Sequence, residues 1–182
     1  MPHLRLALAA GGLLLAVPAL ASCGFDYPTE RVNTIGAGVT VRDADVDVTG
    51  TLIVSGQADS GTLIGGLSNN VEEDVTLIEI AGGEKGSITP ENFEPVELAP
   101  NGHVNLAALA EDDEGITVSG DFEAGDFVTV TFTFDNDQSV TTEIPVMKAC
   151  YEYEGLDNTS EGESDESVYQ CEPPDAPILE EH

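Results

Sequence analysis

Basic residues are scarce in this 182-residue chain, which has five lysines and arginines against 35 aspartates and glutamates and a formal net charge of −30 at pH 7. Proteins bind nucleic acid through clustered cations that neutralise phosphates and release counterions. The composition therefore excludes nucleic acid as a partner. It predicts a soluble, self-repelling surface, and we expect a monomer, with a protein partner left open.

The chain also has few histidines and no recognisable motif for nucleophilic catalysis. Its three histidines are His3, His103 and His182, and no G-x-S-x-G sequence is present. A weak hydroxyl or thiol nucleophile needs an adjacent base, for which this sequence offers no recognisable context. Carboxylates are so numerous that their pairing carries no information about acid–base catalysis. We predict that the protein is not an enzyme.

Long apolar runs are absent except at the N-terminus, where Arg5 precedes LALAAGGLLLAVPALA. This run is too short to span a membrane comfortably, and a charged start before it is typical of an export signal. Leu20-Ala21-Ser22-Cys23 resembles a bacterial lipobox, which implies cleavage between Ser22 and Cys23 and a lipid (palmitate) on Cys23. The alternative is an ordinary signal peptide followed by an incidental cysteine. The lipobox predicts a cell-membrane protein held by this lipid on the extracytoplasmic face.

Of the three cysteines, two remain once Cys23 is lipidated. An even pair in an exported protein is typical of a disulfide, so we predict a Cys150–Cys171 bridge. It would close a loop of about 22 residues and stabilise the fold by roughly 3 kcal/mol on the chain-entropy model. Metal binding by two such distant cysteines is the alternative.

Alternating apolar and polar residues predict strands from Val39 onward, with a bulge near residues 42–45 where the alternation changes phase. FVTVTFTFD and VTTEIPV flank a polar turn, so residues 127–146 are predicted to form a hairpin, and Pro145 suggests an edge or a bulge at its end. Only residues 107–114 suggest a helix. About eight short strands favour an antiparallel, Ig-like β-sandwich.

These patterns divide the chain into four parts. Residues 1–22 are the predicted lipoprotein signal peptide, 23–38 the lipidated N-terminus and tether, and 39–150 the β-sandwich. Residues 151–182 are strongly acidic and contain no basic residue. We expect them to form a mobile loop, pinned by the cysteine pair, and a disordered tail.

The order of three segments, GTLIGGLSNNVEEDVTLIEI, VELAPNGHVNLAAL and DFVTVTFTFDNDQSVTTEIPV, resembles the PCu(A)C-type copper chaperones and related actinobacterial lipoproteins. The resemblance covers roughly residues 39–147 and implies a cupredoxin-like β-sandwich. In that family two histidines and two methionines bind copper, part of them in a His-x-Met-Leu segment. Here that segment is His103-Val104-Asn105-Leu106, so His103 matches and Asn105 replaces the thioether.

The two upstream ligands are missing, because no histidine lies between His3 and His103 and no methionine between Met1 and Met147. The resemblance therefore implies a degenerate site and no resident cofactor, and a histidine in an exposed loop is the favoured interpretation of His103. The competing hypothesis is a metal-binding lipoprotein that holds copper through His103 with Met147, carboxylates or His182. The sequence thus predicts a non-enzymatic binding or envelope accessory protein, with a copper chaperone as the alternative.

Overall fold

The structure is a computed structural model that describes residues 37–42, 44–83, 87–159 and 167–171. The regular elements of these residues are β1 Val39–Val41, β2 Val46–Gln57, β3 Ser60–Asn69, β4 Val75–Gly82, β5 Ile88–Pro90, β6 Val96–Leu98, β7 His103–Asn105, α1 Leu106–Glu111, β8 Ile116–Gly120, β9 Phe127–Phe134 and β10 Ser139–Lys148. Short 3₁₀ turns lie at Tyr151–Tyr153 and Ser167–Tyr169.

The strands form one curled sheet in the order β5-β8-β3-β2-β10-β9-β4-β6, with β1 also paired to β2 and β7 to β3. The predicted all-β fold class is confirmed, with the strands in one curled sheet. The described residues contain ten strands rather than about eight, because β5, β6 and β7 have three residues each and are too short to show alternation. The sheet is also mixed rather than purely antiparallel, since β10 runs parallel to β2.

Strand β10 connects the two halves of the sheet. Its first part pairs with β9 as far as Pro145, and its last residues, from Val146, pair with β2. The hairpin predicted for residues 127–146 is confirmed by the β9–β10 register. Pro145 lies neither at an outer edge nor at a register shift, but at the residue where β10 changes partner. A residue without an N–H is tolerated there because one ladder ends and the next begins.

The curled sheet encloses one main apolar core. Strand β9 contributes Val128, Val130, Phe132 and Phe134, which belong to one buried cluster with side chains of β2, β3, β4 and β8. The threonines between them point outward, as the alternation predicts. Phe132 and Phe134 are completely buried. The β9–β10 hairpin is therefore the main apolar contribution of the second half of the chain to the core.

The bulge lies in a different place from the one predicted. β1 ends at Val41 and β2 begins at Val46, so the predicted bulge falls between two separate strands. The register of β2 against β3 shifts instead between Thr49 and Leu52, and again between Val54 and Gln57. Gly50, at the first of these shifts, has φ 58°, a left-handed conformation that glycine adopts without strain. The bulge changes the phase of the strand, so that Leu52 faces a second, outer apolar cluster while Ile53 faces the core.

The predicted helix is a short one, Leu106–Glu111, which covers part of this outer cluster through Ala110. Residues 112–114 of the predicted span are turn and coil. Within the described residues, no helix has both the length and the apolar character that crossing a membrane would need.

Candidate functional site

His103 lies on the outer face of the sheet, where three strands run side by side. In register, Asp47 of β2 is opposite Ser68 of β3, and Ser68 is opposite His103 of β7. The Ser68 hydroxyl and His103 Nδ1 are 2.9 Å apart. We call these three residues the His103 row; it spans two strand spacings, about 10 Å.

A glycine next to the row lets the imidazole lie close to the sheet. A Cβ atom on Gly66 would stand 2.7 Å from His103 Cε1 and 2.8 Å from Thr49 Oγ1, closer than real contacts allow. The Thr49 hydroxyl in turn donates to the carbonyl of Gly66 over 3.2 Å. The ring position is therefore fixed by both its hydrogen bond to Ser68 and the missing side chain at residue 66.

Asn105, at the position where the family pattern has a soft ligand, is used for another purpose. It is the N-cap residue of α1, and its Oδ1 accepts a hydrogen bond from the Ala107 backbone N–H over 3.0 Å. An N-cap side chain satisfies one of the N–H groups that a helix start leaves without an intrahelical partner. The amide oxygen of Asn105 therefore points toward the helix start.

Met147 does not approach His103. It pairs in register with Val54 of β2, seven residues along that strand from Asp47, the residue that begins the His103 row. At roughly 3.3 Å per residue the two positions lie about 20 Å apart along the strand. The Met147 side chain packs instead against the outer apolar cluster. His182, the other proposed partner, lies outside the described residues, as do Ser22 and Cys23.

The His103 row does not reproduce the copper site that the family pattern implies. It offers one imidazole, one hydroxyl and one carboxylate, all of them borderline or hard ligands, whereas Cu(I) prefers soft sulfur. Among the described residues, no group of three or more histidines, cysteines, aspartates or glutamates is placed to hold a metal. Within the row, Asp47 Oδ1 is buried and has no hydrogen-bond partner among the described residues.

The predicted disulfide is confirmed. Cys150 and Cys171 are bonded, with Cα atoms 5.4 Å apart. The Tyr151 hydroxyl donates to the carbonyl of Cys171, and Lys148 Nζ donates to the carbonyl of Gln170 over 2.9 Å. The bridge thus attaches residues 167–171 to the end of β10.

Residues 157–159, at the start of the segment predicted to be a mobile loop, are hydrogen-bonded to the rest of the domain. Asp157 accepts hydrogen bonds from the Gly56 N–H at 2.7 Å and from the Thr62 hydroxyl at 3.3 Å. Asn158 accepts from the Gly115 N–H at 3.0 Å and donates to the carbonyl of Ala110 at 3.0 Å. We call this segment the 157–159 clasp, because it joins β2, β3 and the end of α1.

The buried amide of Asn69 was also missed. It is 2% exposed, and its Nδ2 donates to the carbonyls of Glu73 at 2.8 Å, Leu98 at 3.2 Å and Ala99 at 3.1 Å. Its Oδ1 accepts from the Val71 N–H at 3.0 Å. The sequence placed an asparagine at the end of a strand, but nothing in the pattern indicated how many backbone groups it satisfies.

Comparison with known proteins bears on the fold. A copper-bound PCuAC domain from PmoF2 is 14% identical and covers 60% of this chain and 98% of its own, with a TM-score of 0.48. An apo PCuAC domain from PmoF1 is 15% identical at the same TM-score and the same share of this chain. PCuAC domains are thus among the solved structures that this chain is similar to, while the link to actinobacterial lipoproteins stays a prediction. Neither the family models nor the curated proteins give a match to the chain.

Proposed function

We propose that this chain is a lipoprotein, anchored by a lipid on Cys23 to the extracytoplasmic face of the cell membrane, that works without catalysis by binding another protein. The observation that carries the proposal is the role of Asn105. At the position of a soft copper ligand, this chain has a side chain whose oxygen caps α1. The copper-chaperone-like β-sandwich is then a scaffold used for contact rather than for metal transfer.

The competing function is copper binding through His103. The observation in its favour is the 2.9 Å contact between Ser68 Oγ and His103 Nδ1. Metal-bound histidines commonly have the second ring nitrogen fixed by a neighbouring polar group, and Ser68 supplies such a group. Against it stands the distance of Met147 from the row, which leaves the imidazole without a soft partner in the described part of the chain.

Copper titration separates the two functions. The chain from residue 24 onward, with Cys150–Cys171 oxidised, is titrated with Cu(I) and Cu(II) against a competing chelator. His103→Ala and the matched control His182→Ala are titrated alongside. We expect weak binding that neither substitution changes. Tight one-to-one binding lost only in His103→Ala would refute the proposal and establish the copper function.

The anchor is tested separately. Cys23→Ser removes the only thiol that a lipid could modify at the predicted cleavage point, because serine is a poor nucleophile at neutral pH. We expect the wild-type chain in the membrane fraction of the producing cells and the variant in the soluble fraction. Equal membrane retention of both would show that the lipobox interpretation is wrong.

A further inference from the structure

A groove of about 450 Å³ lies between the segment that leads into β6 and the helix–strand pair α1 and β8. Its walls include four apolar residues, Pro95, Val96, Leu109 and Ile116. Val96 and Leu109 are half-buried, so part of each side chain is accessible from the groove. We call it the β6–α1 groove. Its volume is within the range of sites that take a small ligand or a few side chains of a partner.

One wall of the groove is held in place by Asn92. Its Nδ2 donates to the carbonyl of Gly115 at 2.9 Å, and its Oδ1 accepts from both the N–H and the hydroxyl of Thr117 at 2.8 Å. These bonds join the segment before β6 to β8. The groove is therefore formed before any partner arrives, which lowers the entropy lost on binding.

Negative charge lies beside the four apolar residues of the groove. Glu94 and Glu114 line the groove, and the whole run from Glu111 to Glu114 is exposed beside it. The two basic residues of the described part, Arg42 and Lys148, do not line it. Together with a net charge of −30, this arrangement favours an occupant that brings cations to the rim and an aliphatic group to the floor.

The neighbouring strand has an open side. β6 ends the strand order of the sheet and pairs only with β4 among the described elements. Thr76 of β4 lies opposite Glu97. The backbone N–H of Thr76 donates to Asp135 Oδ1 and its C=O accepts from the Asp135 N–H, so both groups face the side of β4 away from β6. Because these groups alternate along antiparallel strands, the N–H and C=O of Glu97 point away from β4. An extended polypeptide can pair with this edge while its side chains enter the groove.

We propose that the β6–α1 groove docks an extended segment of a partner protein in which aliphatic residues alternate with lysine or arginine. The proposal rests on the protein-binding function proposed above and names the chemistry of the partner. Alternation matches the period of a strand, which would turn the aliphatic side chains into the groove. The lysine or arginine side chains leave the opposite face of the segment, and their long stems can bend back to the exposed carboxylates of Glu94 and Glu114 at the rim.

The test uses the purified full-length chain and two probe peptides, acetyl-Lys-Leu-Lys-Leu-Lys-amide and its leucine-free counterpart acetyl-Lys-Ser-Lys-Ser-Lys-amide. Affinities are measured by calorimetry at 0.15 M salt, where the Debye length of about 8 Å suppresses distant charge effects. The groove variant is Glu94→Gln with Glu114→Gln. The matched control, Asp121→Asn with Glu123→Gln, removes the same charge elsewhere, from residues that do not line the groove.

We expect the leucine peptide to bind at least about tenfold more tightly than the serine peptide, and the groove variant to weaken it about fivefold or more. The control variant should change the Kd of the leucine peptide by less than about twofold, because an exposed charge outside the binding site contributes little to the affinity. Backbone amide resonances of Val96 and Leu109 should shift on binding. Equal affinity for both peptides, equal effects of both variants, or no binding would overturn the docking proposal. None of these results would bear on the copper and anchor tests, so the two proposals fail separately.

Discussion

The substitution Asn69→Asp tests whether the buried amide at the end of β3 holds the two halves of the sheet together. It leaves the shape of the side chain almost unchanged but replaces the NH₂ donor by an oxygen that faces the carbonyls of Glu73, Leu98 and Ala99. Each buried polar group left unpaired costs about 1–3 kcal/mol. The uncompensated carboxylate adds a desolvation cost. We therefore expect the free energy of unfolding to fall by at least about 3 kcal/mol.

The matched control is Asn70→Asp, the same chemical change one residue along the chain. Asn70 is exposed, and its amide makes one long bond, 3.3 Å to the carbonyl of Ala44. Its effect should stay within about 0.5 kcal/mol, as for most surface substitutions. Urea unfolding followed by far-UV circular dichroism measures both variants. If the two lose stability equally, the role assigned to Asn69 is wrong.

Three further predictions follow from contacts described above. Cys150→Ser with Cys171→Ser should lower the free energy of unfolding by roughly 3 kcal/mol, because the unfolded chain regains loop entropy. Urea unfolding of the wild type under reducing conditions should show the same loss, and an undiminished stability of the variant would contradict the prediction. Asp157→Ala should cost about 2–3 kcal/mol, since it leaves two donors of the sheet without an acceptor. Faster amide exchange at Gly56 and Thr159, whose backbone N–H groups donate to this carboxylate, would locate the effect, and unchanged exchange would refute it. Asn105→Ala should cost about 1 kcal/mol of thermal stability through the lost N-cap, whereas Asn105→Ser should retain most of it, and equal losses in calorimetry would argue against capping.

Much of the fold could be predicted because its strands alternate visibly. From Val128 to Phe134 every second residue lies in the core. This alternation is visible in the sequence, and it predicts the β9–β10 hairpin. The disulfide followed from the two cysteines that remain beside Cys23 in a chain predicted to be exported. Both inferences depend on local or compositional signals, which a single sequence contains.

The features that were missed depend on residues distant in the chain. The parallel pairing of β10 with β2 joins Val146 to Ile53, and no alternation within either strand indicates it. The 157–159 clasp is similar, since Asp157 was assigned to a mobile acidic loop on composition, yet its acceptors are satisfied by donors of β2 and β3. For the candidate site, the sequence identifies His103 and the absence of the soft copper ligands. It does not indicate the capping role of Asn105, because an N-cap residue can be recognised only when the first residue of the helix is known.

The change of partner at Pro145 also sets the order in which this protein can fold. Strands β2 and β3 are adjacent in sequence and can pair as soon as both are available, whereas the β2–β10 ladder must wait for a strand from the far end of the domain. Closing so long a loop is slow, since its entropy is lost before any contact compensates for it. Until then one side of β2 stays unpaired and able to pair with other chains. The net charge of −30 then matters during folding, because like charges make half-folded molecules repel one another in that interval.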